Sequence, residues 1–139
     1  MKHEYIVDAK HNTLAIVIPK DVEFHDSKFI SSVDSALQIG FQFRGGSNPV
    51  KAHHHPRYKR EIDITWEVLY FFEGSAKCSI FDSEANLVEI LTCTSGDFLI
   101  LLAGGHSIDF SESTKILEFK QGPYFANKDK IFMHQNDLL

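Results

Sequence analysis

The chain of 139 residues has little cysteine, proline or tryptophan, with two, four and one respectively, and no apolar run of ~18 residues that could cross a bilayer as a helix. Two cysteines without close Cys-x-x-Cys spacing do not make a structural zinc knuckle. A chain this long can bury a real core without disulfides. Cys78 and Cys93 lie on either side of an expected hairpin turn at 83–85. Strands pairing symmetrically about that turn would not set the two opposite each other, so free buried thiols are expected. The only basic run is the short Arg57-Tyr58-Lys59-Arg60, in a chain of formal net charge −5 with acids and bases intermixed. Nucleic acid is thereby excluded as an expected partner. Met1 is not followed by a charged-apolar-small signal, so a cytoplasmic protein without membrane insertion is expected. No internal repeat, low-complexity tract, linker or attached DNA-binding segment is seen. A single domain is expected, with N-terminal strands over 1–45, a motif-bearing barrel over 46–123 and a short extension over 124–139.

What is present points to strands. Twelve phenylalanines and many β-branched residues favour sheet over long helices. Apolar segments at 13–18, 37–44, 50–55, 64–72, 76–81, 87–92, 98–102 and 114–120 make about eight strands, and short strands so spaced favour a sandwich or barrel. Turns are expected at 45–49, 82–86, 95–97 and 104–105, where Gly, Asn and Asp supply positive φ. One helical turn is entertained at 26–36, and the tail at 127–139 is left as a short helix or an ordered extension. In the strand at 64–72, Glu67, Leu69 and Phe71 share one face, and Trp66, Val68, Tyr70 and Phe72 the other. A strand apolar on both sides lies between an interior and a second covering layer. That layer can be the opposing sheet, an N-terminal strand or another subunit, and a homodimer is expected.

The chemistry concentrates in imidazoles. In an extended strand His53 and His55 project to one side and His54 to the other. Glu67 opens its apolar strand, and His106 follows Gly104-Gly105, so both can meet the first pair across a barrel interior. Three nitrogens and one oxygen suit zinc, iron, nickel, manganese or copper. The run His53-His54-His55 can alternatively be a surface accident that captures purification metals. His3, His11, His25 and His134 have no such spacing and read as surface residues. Lys51 shares the parity of His53 and His55. Gln42 and Arg44 share a face opposite Phe41 and Phe43, and Glu118 and Lys120 alternate with Leu117 and Phe119. Each set reads either as a solvated face or as polar lining of a pocket. Arg57 and Arg60 read as solvated loop charges, or as forks for a carboxylate or phosphate.

From Ala52 to His106 the chain resembles the cupin superfamily, an all-β fold built as a double-stranded β-helix, the small jelly-roll barrel. His53-x-His55, then Glu67-x6-Gly74, resembles its first motif; Gly96-Asp97, leading through Leu102-Ala103-Gly104 to His106, resembles its second. The resemblance implies that His53, His55, Glu67 and His106 are the ligands of one divalent transition metal, Zn, Fe, Ni or Mn. Eleven residues separate His55 from Glu67, a longer spacer than the family's, which requires a longer loop at the barrel mouth. Glu61 in that spacer competes with Glu67 as the carboxylate, but only Glu67 has the motif's distance to Gly74. Leu102 stands in place of the motif proline, and His106 comes one residue early. The wording of several segments is similar to small single-domain bacterial cupins without assigned function.

The expected function is therefore a mononuclear metal-dependent enzyme acting on a small polar substrate, a sugar or keto acid. Isomerase or epimerase, lyase and dioxygenase chemistry are all open. Glu61, Glu118 and Lys120 are the candidate proton carriers by parity and position. Gln42, Arg44, Lys51, Arg57 and Arg60 are the candidate substrate contacts. A non-catalytic small-molecule-binding module is the second reading. A metal-free barrel with a histidine as general base is the third.

Overall fold

Residues 1–46, 49–126 and 128–133 are described by a computed structural model, and among them the chain forms strands and no helix. In chain order the strands are β1 (Glu4–Val7), β2 (Thr13–Ile18), β3 (Lys28–Phe29), β4 (Gly40–Phe41), β5 (Glu67–Glu73), β6 (Ser75–Phe81), β7 (Leu87–Thr94), β8 (Phe98–Leu101), β9 (Gly105–Phe110) and β10 (Lys115–Lys120). They divide between two compact units, one of Met1–Val22 with Thr65–Leu139 and one of Glu23–Ile64.

The first unit holds two antiparallel sheets, ordered β1-β2-β8-β5-β10 and β7-β6-β9. In the larger sheet the register sets Ala15 beside Leu101, Leu101 beside Glu67 and Leu69 beside Leu99. Those residues share a face with Phe71, and that face meets Ala76, Cys78, Ile80 and Cys93 of the smaller sheet in one buried cluster. The period-2 alternation of β5 is why Leu69 and Phe71 are buried while Phe72 is 52% exposed. β8 is buried on both sides, from Leu99 through Leu101, as its unbroken apolar run requires. The two sheets stay open, with no closed barrel among the described residues.

Cys78 and Cys93 are free and fully buried. Cys93 pairs with Ala76 and Cys78 with Leu91, so the two thiols are diagonal neighbours rather than opposite partners. Their mutual hydrogen bond, together with burial, pushes the Cys93 thiol far above the ordinary thiol range.

Two hairpin turns use one device. The Asp8 carboxylate accepts from the backbone N–H groups of Lys10 and Asn12 and from Asn12 Nδ2. Asp82 accepts likewise from Glu84 N, Asn86 N and Asn86 Nδ2. In each turn the residue before the asparagine takes positive φ, His11 at 64° and Ala85 at 65°; in the expected turn at 82–86 it is thus Ala85, not Asn or Asp, that adopts it. Lys10 and Glu84 form an ion pair that ties the two tips together.

The smaller unit is mostly irregular. β3 and β4 pair over two residues each, Phe24 stacks on Phe41 with ring centroids 4.6 Å apart, and the Ser27 hydroxyl accepts from Phe43 N while donating to Phe43 O. The strand expected at 37–44 contracts to Gly40–Phe41, and none forms at 50–55. In the latter only Val50 and Ala52 are apolar among lysine and histidines, so no apolar face exists to bury, and Pro56 removes a donor. No helical turn occupies 26–36; a single Ser35 N to Ser32 O bond marks the bend there. Within the expected turn at 45–49, Ser47 and Asn48 lie outside the described residues. So do Asn127 and the tail from His134 onward.

Candidate functional site

Glu67 begins β5 on the inward face, directly across from Lys120 of β10 and Leu101 of β8. The residue is 8% exposed, and a carboxylate that far from water needs a partner. His106 supplies it. It faces inward on β9 opposite Ile80, and its Nε2 stands 3.3 Å from Glu67 Oε2. The hydrogen bond from His106 holds the Glu67 carboxyl below the usual carboxylate range against the opposing effect of burial, and the charges of His106, Lys130 and Lys120 lower it further.

The turn that aims His106 depends on a backbone detail visible in the sequence. Leu102 N donates to Leu14 O at 2.8 Å, a bond that a proline at this position could not make. Gly104 then takes φ +70°, and a Cβ there would run into the Phe81 carbonyl oxygen. Gly74, at φ +80°, closes the β5–β6 turn where a Cβ would lie 2.6 Å from Ser113 O.

Glu67 and His106 line a cavity of about 480 Å³ whose walls include Phe81, Leu101 and the segment 129–133. A larger cavity, about 660 Å³, lies between β1 and β7 and has no imidazole among its lining residues. Chemistry rather than size therefore selects the first. Of the candidate proton carriers, Glu118 and Lys120 hold the inner-face register beside Leu69 and Glu67, Lys120 partly buried and Glu118 exposed. Lys120 Nζ lies 3.7 Å from Glu118 Oε1, 3.8 Å from Asp129 Oδ2 and 5.4 Å from the Tyr124 ring centroid. Glu61, the competing carboxylate, is exposed and paired with Lys59.

In the smaller unit His53 and His55 are exposed, but their rings lie edge to face with centroids 5.1 Å apart. The two imidazoles are thus neighbours without a strand to align them. His53 Nδ1 is 2.8 Å from Lys51 O. Donation there leaves Nε2 as the nitrogen with a free lone pair, a tautomer able to ligate a metal through Nε2. Arg44 donates to Gln42 Oε1, and Lys51, Arg57 and Arg60 are exposed. Asp129, Lys130 and Met133, which help line the cavity, were not singled out from the sequence. They belong to a polar stretch without periodicity, where only the fold brings them to Glu67.

The donor set meets part of what a metal requires. A carboxylate and an imidazole converge in one cavity and two imidazoles stand together elsewhere, but no group of three or more His, Cys, Asp or Glu gathers closely enough for one ion among the described residues. No family model, curated protein or solved structure matches the chain.

Proposed function

We propose that the chain is a metal-binding protein of the cupin type, a double-stranded β-helix in which His53, His55, Glu67 and His106 hold one divalent transition metal, Zn, Fe, Ni or Mn. The observation that carries this reading is the Glu67–His106 pair, a carboxylate withdrawn from water with an imidazole nitrogen 3.3 Å away in a cavity. The positive-φ glycines at the ends of both motifs support it. The protein acts as a metal-dependent enzyme on a small polar substrate, with isomerase or epimerase, lyase and dioxygenase chemistry as the candidate classes. The metal would polarise a substrate oxygen or bind dioxygen. The chain's own residues do the rest. Glu67 offers its anionic oxygens, His53 presents Nε2 because Lys51 O engages Nδ1, and the Lys120–Glu118 pair is the proton reservoir on the same inner face. Capture of a small molecule without catalysis is the second reading. It is favoured by the engagement of Lys120 with both Glu118 and Asp129, which leaves that ammonium less free to move protons.

Elemental analysis of protein prepared without an affinity tag tests the proposal. About one equivalent of a transition metal is expected, falling severalfold in His53→Ala and in His106→Ala. Less than about a tenth of an equivalent, not restored by added metal, overturns it.

A further inference from the structure

We propose that the cavity over Glu67 and His106 takes a small monocarboxylate with an apolar body, and that Lys130 selects its charge. The inference rests on reading this cavity as the functional site, and it does not require the metal. Among the described residues four ionisable side chains line the cavity: Glu67, His106, Asp129 and Lys130. Three of them are engaged. Glu67 and His106 face each other at 3.3 Å. Asp129 accepts from Phe125 N at 2.9 Å through one carboxylate oxygen and stands 3.8 Å from Lys120 Nζ through the other. The Lys130 ammonium acts on the Glu67 carboxylate only at a distance and makes no hydrogen bond or close ion pair among the described residues, so its three N–H donors are left for a ligand.

The remaining lining argues for the rest of the ligand. Phe81, Leu101 and Met133 form apolar wall, and Ile131 and Phe132, 94% and 83% exposed, extend apolar surface at its rim. Exposed apolar area beside a recess marks a binding surface more often than an ordinary solvated face. Among the described residues Thr65 and Ser107 contribute the only neutral hydroxyls. Glu67, His106 and Asp129 spend hydrogen-bonding capacity on protein partners, which leaves too little for the many donors and acceptors of a sugar, whereas one ammonium satisfies one carboxylate. The acid therefore fits better than the polyol.

The sequence contains two methionines, Met1 and Met133, so methyl-labelled methionine gives an isolated reporter in the cavity wall. The full chain, stripped with a chelator, is titrated with 3-phenylpropanoate, 3-phenylpropanamide and 3-phenylpropylamine while the Met133 methyl resonance is followed. The carboxylate is expected to bind about tenfold more tightly than the amide, the amine more weakly still. Lys130→Gln is expected to bring acid and amide within about twofold of each other, while Lys2→Gln leaves the preference intact. Equal binding of acid and amide, a preference that survives Lys130→Gln, or tightest binding of the amine overturns the inference. A failed elemental analysis leaves this titration standing, because it is done without metal. Conversely, a carboxylate that moves Met133 only after zinc is restored, and equally in Lys130→Gln, overturns the role of Lys130 while sparing the metal site.

Discussion

The Asp8 and Asp82 carboxyls lie below the ordinary aspartate range, first because Asn12 and Asn86 donate side-chain hydrogen bonds to them and then because backbone N–H groups do the same. A carboxyl whose folded value is depressed adds stability above its unfolded value, near 3.8 here, and loses it as pH falls through the lower folded value. Asp82→Asn should therefore shrink the acid-induced drop in the urea midpoint below about pH 4 while lowering the midpoint at neutral pH. Ala85, at φ 65°, occupies a conformation that costs an L-residue about 1 kcal/mol. Ala85→Gly relieves that cost and is expected to raise stability by up to about 1 kcal/mol, less the added freedom of the unfolded chain, as read from urea denaturation. At this scale the inward placement of Glu67 was legible. Glu67 was placed inward by its alternation with Leu69 and Phe71, and preferred over Glu61 by its distance to Gly74. The left-handed roles of His11 and Ala85 were not legible, because they arise from the carboxylate three residues earlier and not from the residue that adopts them.

Among elements, the turn from β8 into β9 decides whether His106 reaches Glu67. Gly104→Ala forces a methyl against the Phe81 carbonyl in a left-handed backbone, and should cost about 3 kcal/mol in chemical denaturation. A loss of less than about 0.5 kcal/mol would show that this turn can relax without strain. β2 was read from the sequence with its observed ends, and β6, β7, β8 and β10 nearly so, because each is a dense apolar or alternating run. β9 was missed because Gly-Gly reads as a turn and His, Ser and Asp are poor strand formers; tertiary pairing with β6 overrides both signals. β1 is short and polar at its start, and its partner β2 supplies most of the apolar surface. The segment at 50–55 failed in the other direction, since parity alone does not make a strand without a face to bury.

At the scale of the whole molecule, two buried thiols give a direct measure of the global opening reaction. Neither Cys78 nor Cys93 should react with a thiol reagent under native conditions, and both should react in denaturant, in parallel with loss of sheet signal. One thiol reacting natively would show a local opening of β6 or β7 separate from global unfolding. The chain contains no helix long and apolar enough to span a membrane among the described residues, in keeping with its composition. The all-β character followed from phenylalanine, β-branched residues and regular turns, whereas nothing in the composition marked Glu23–Ile64 as a compact unit of its own. The four outer strands of the larger unit, β1, β10, β7 and β9, each carry a charged or imidazole side chain at an inner-face register position, Glu4, Lys120, Glu89 and His106 respectively, all but Lys120 exposed at the sheet edge. Register breaks fall at one end of β1 and of β10, and where β7 leaves β6. A neighbouring molecule that tried to extend either sheet would have to bury those charges and match a broken ladder. The same His106 that faces Glu67 thus also guards an edge against polymerisation, and substituting it with an apolar residue would remove a gatekeeper as well as the partner of the Glu67 carboxylate.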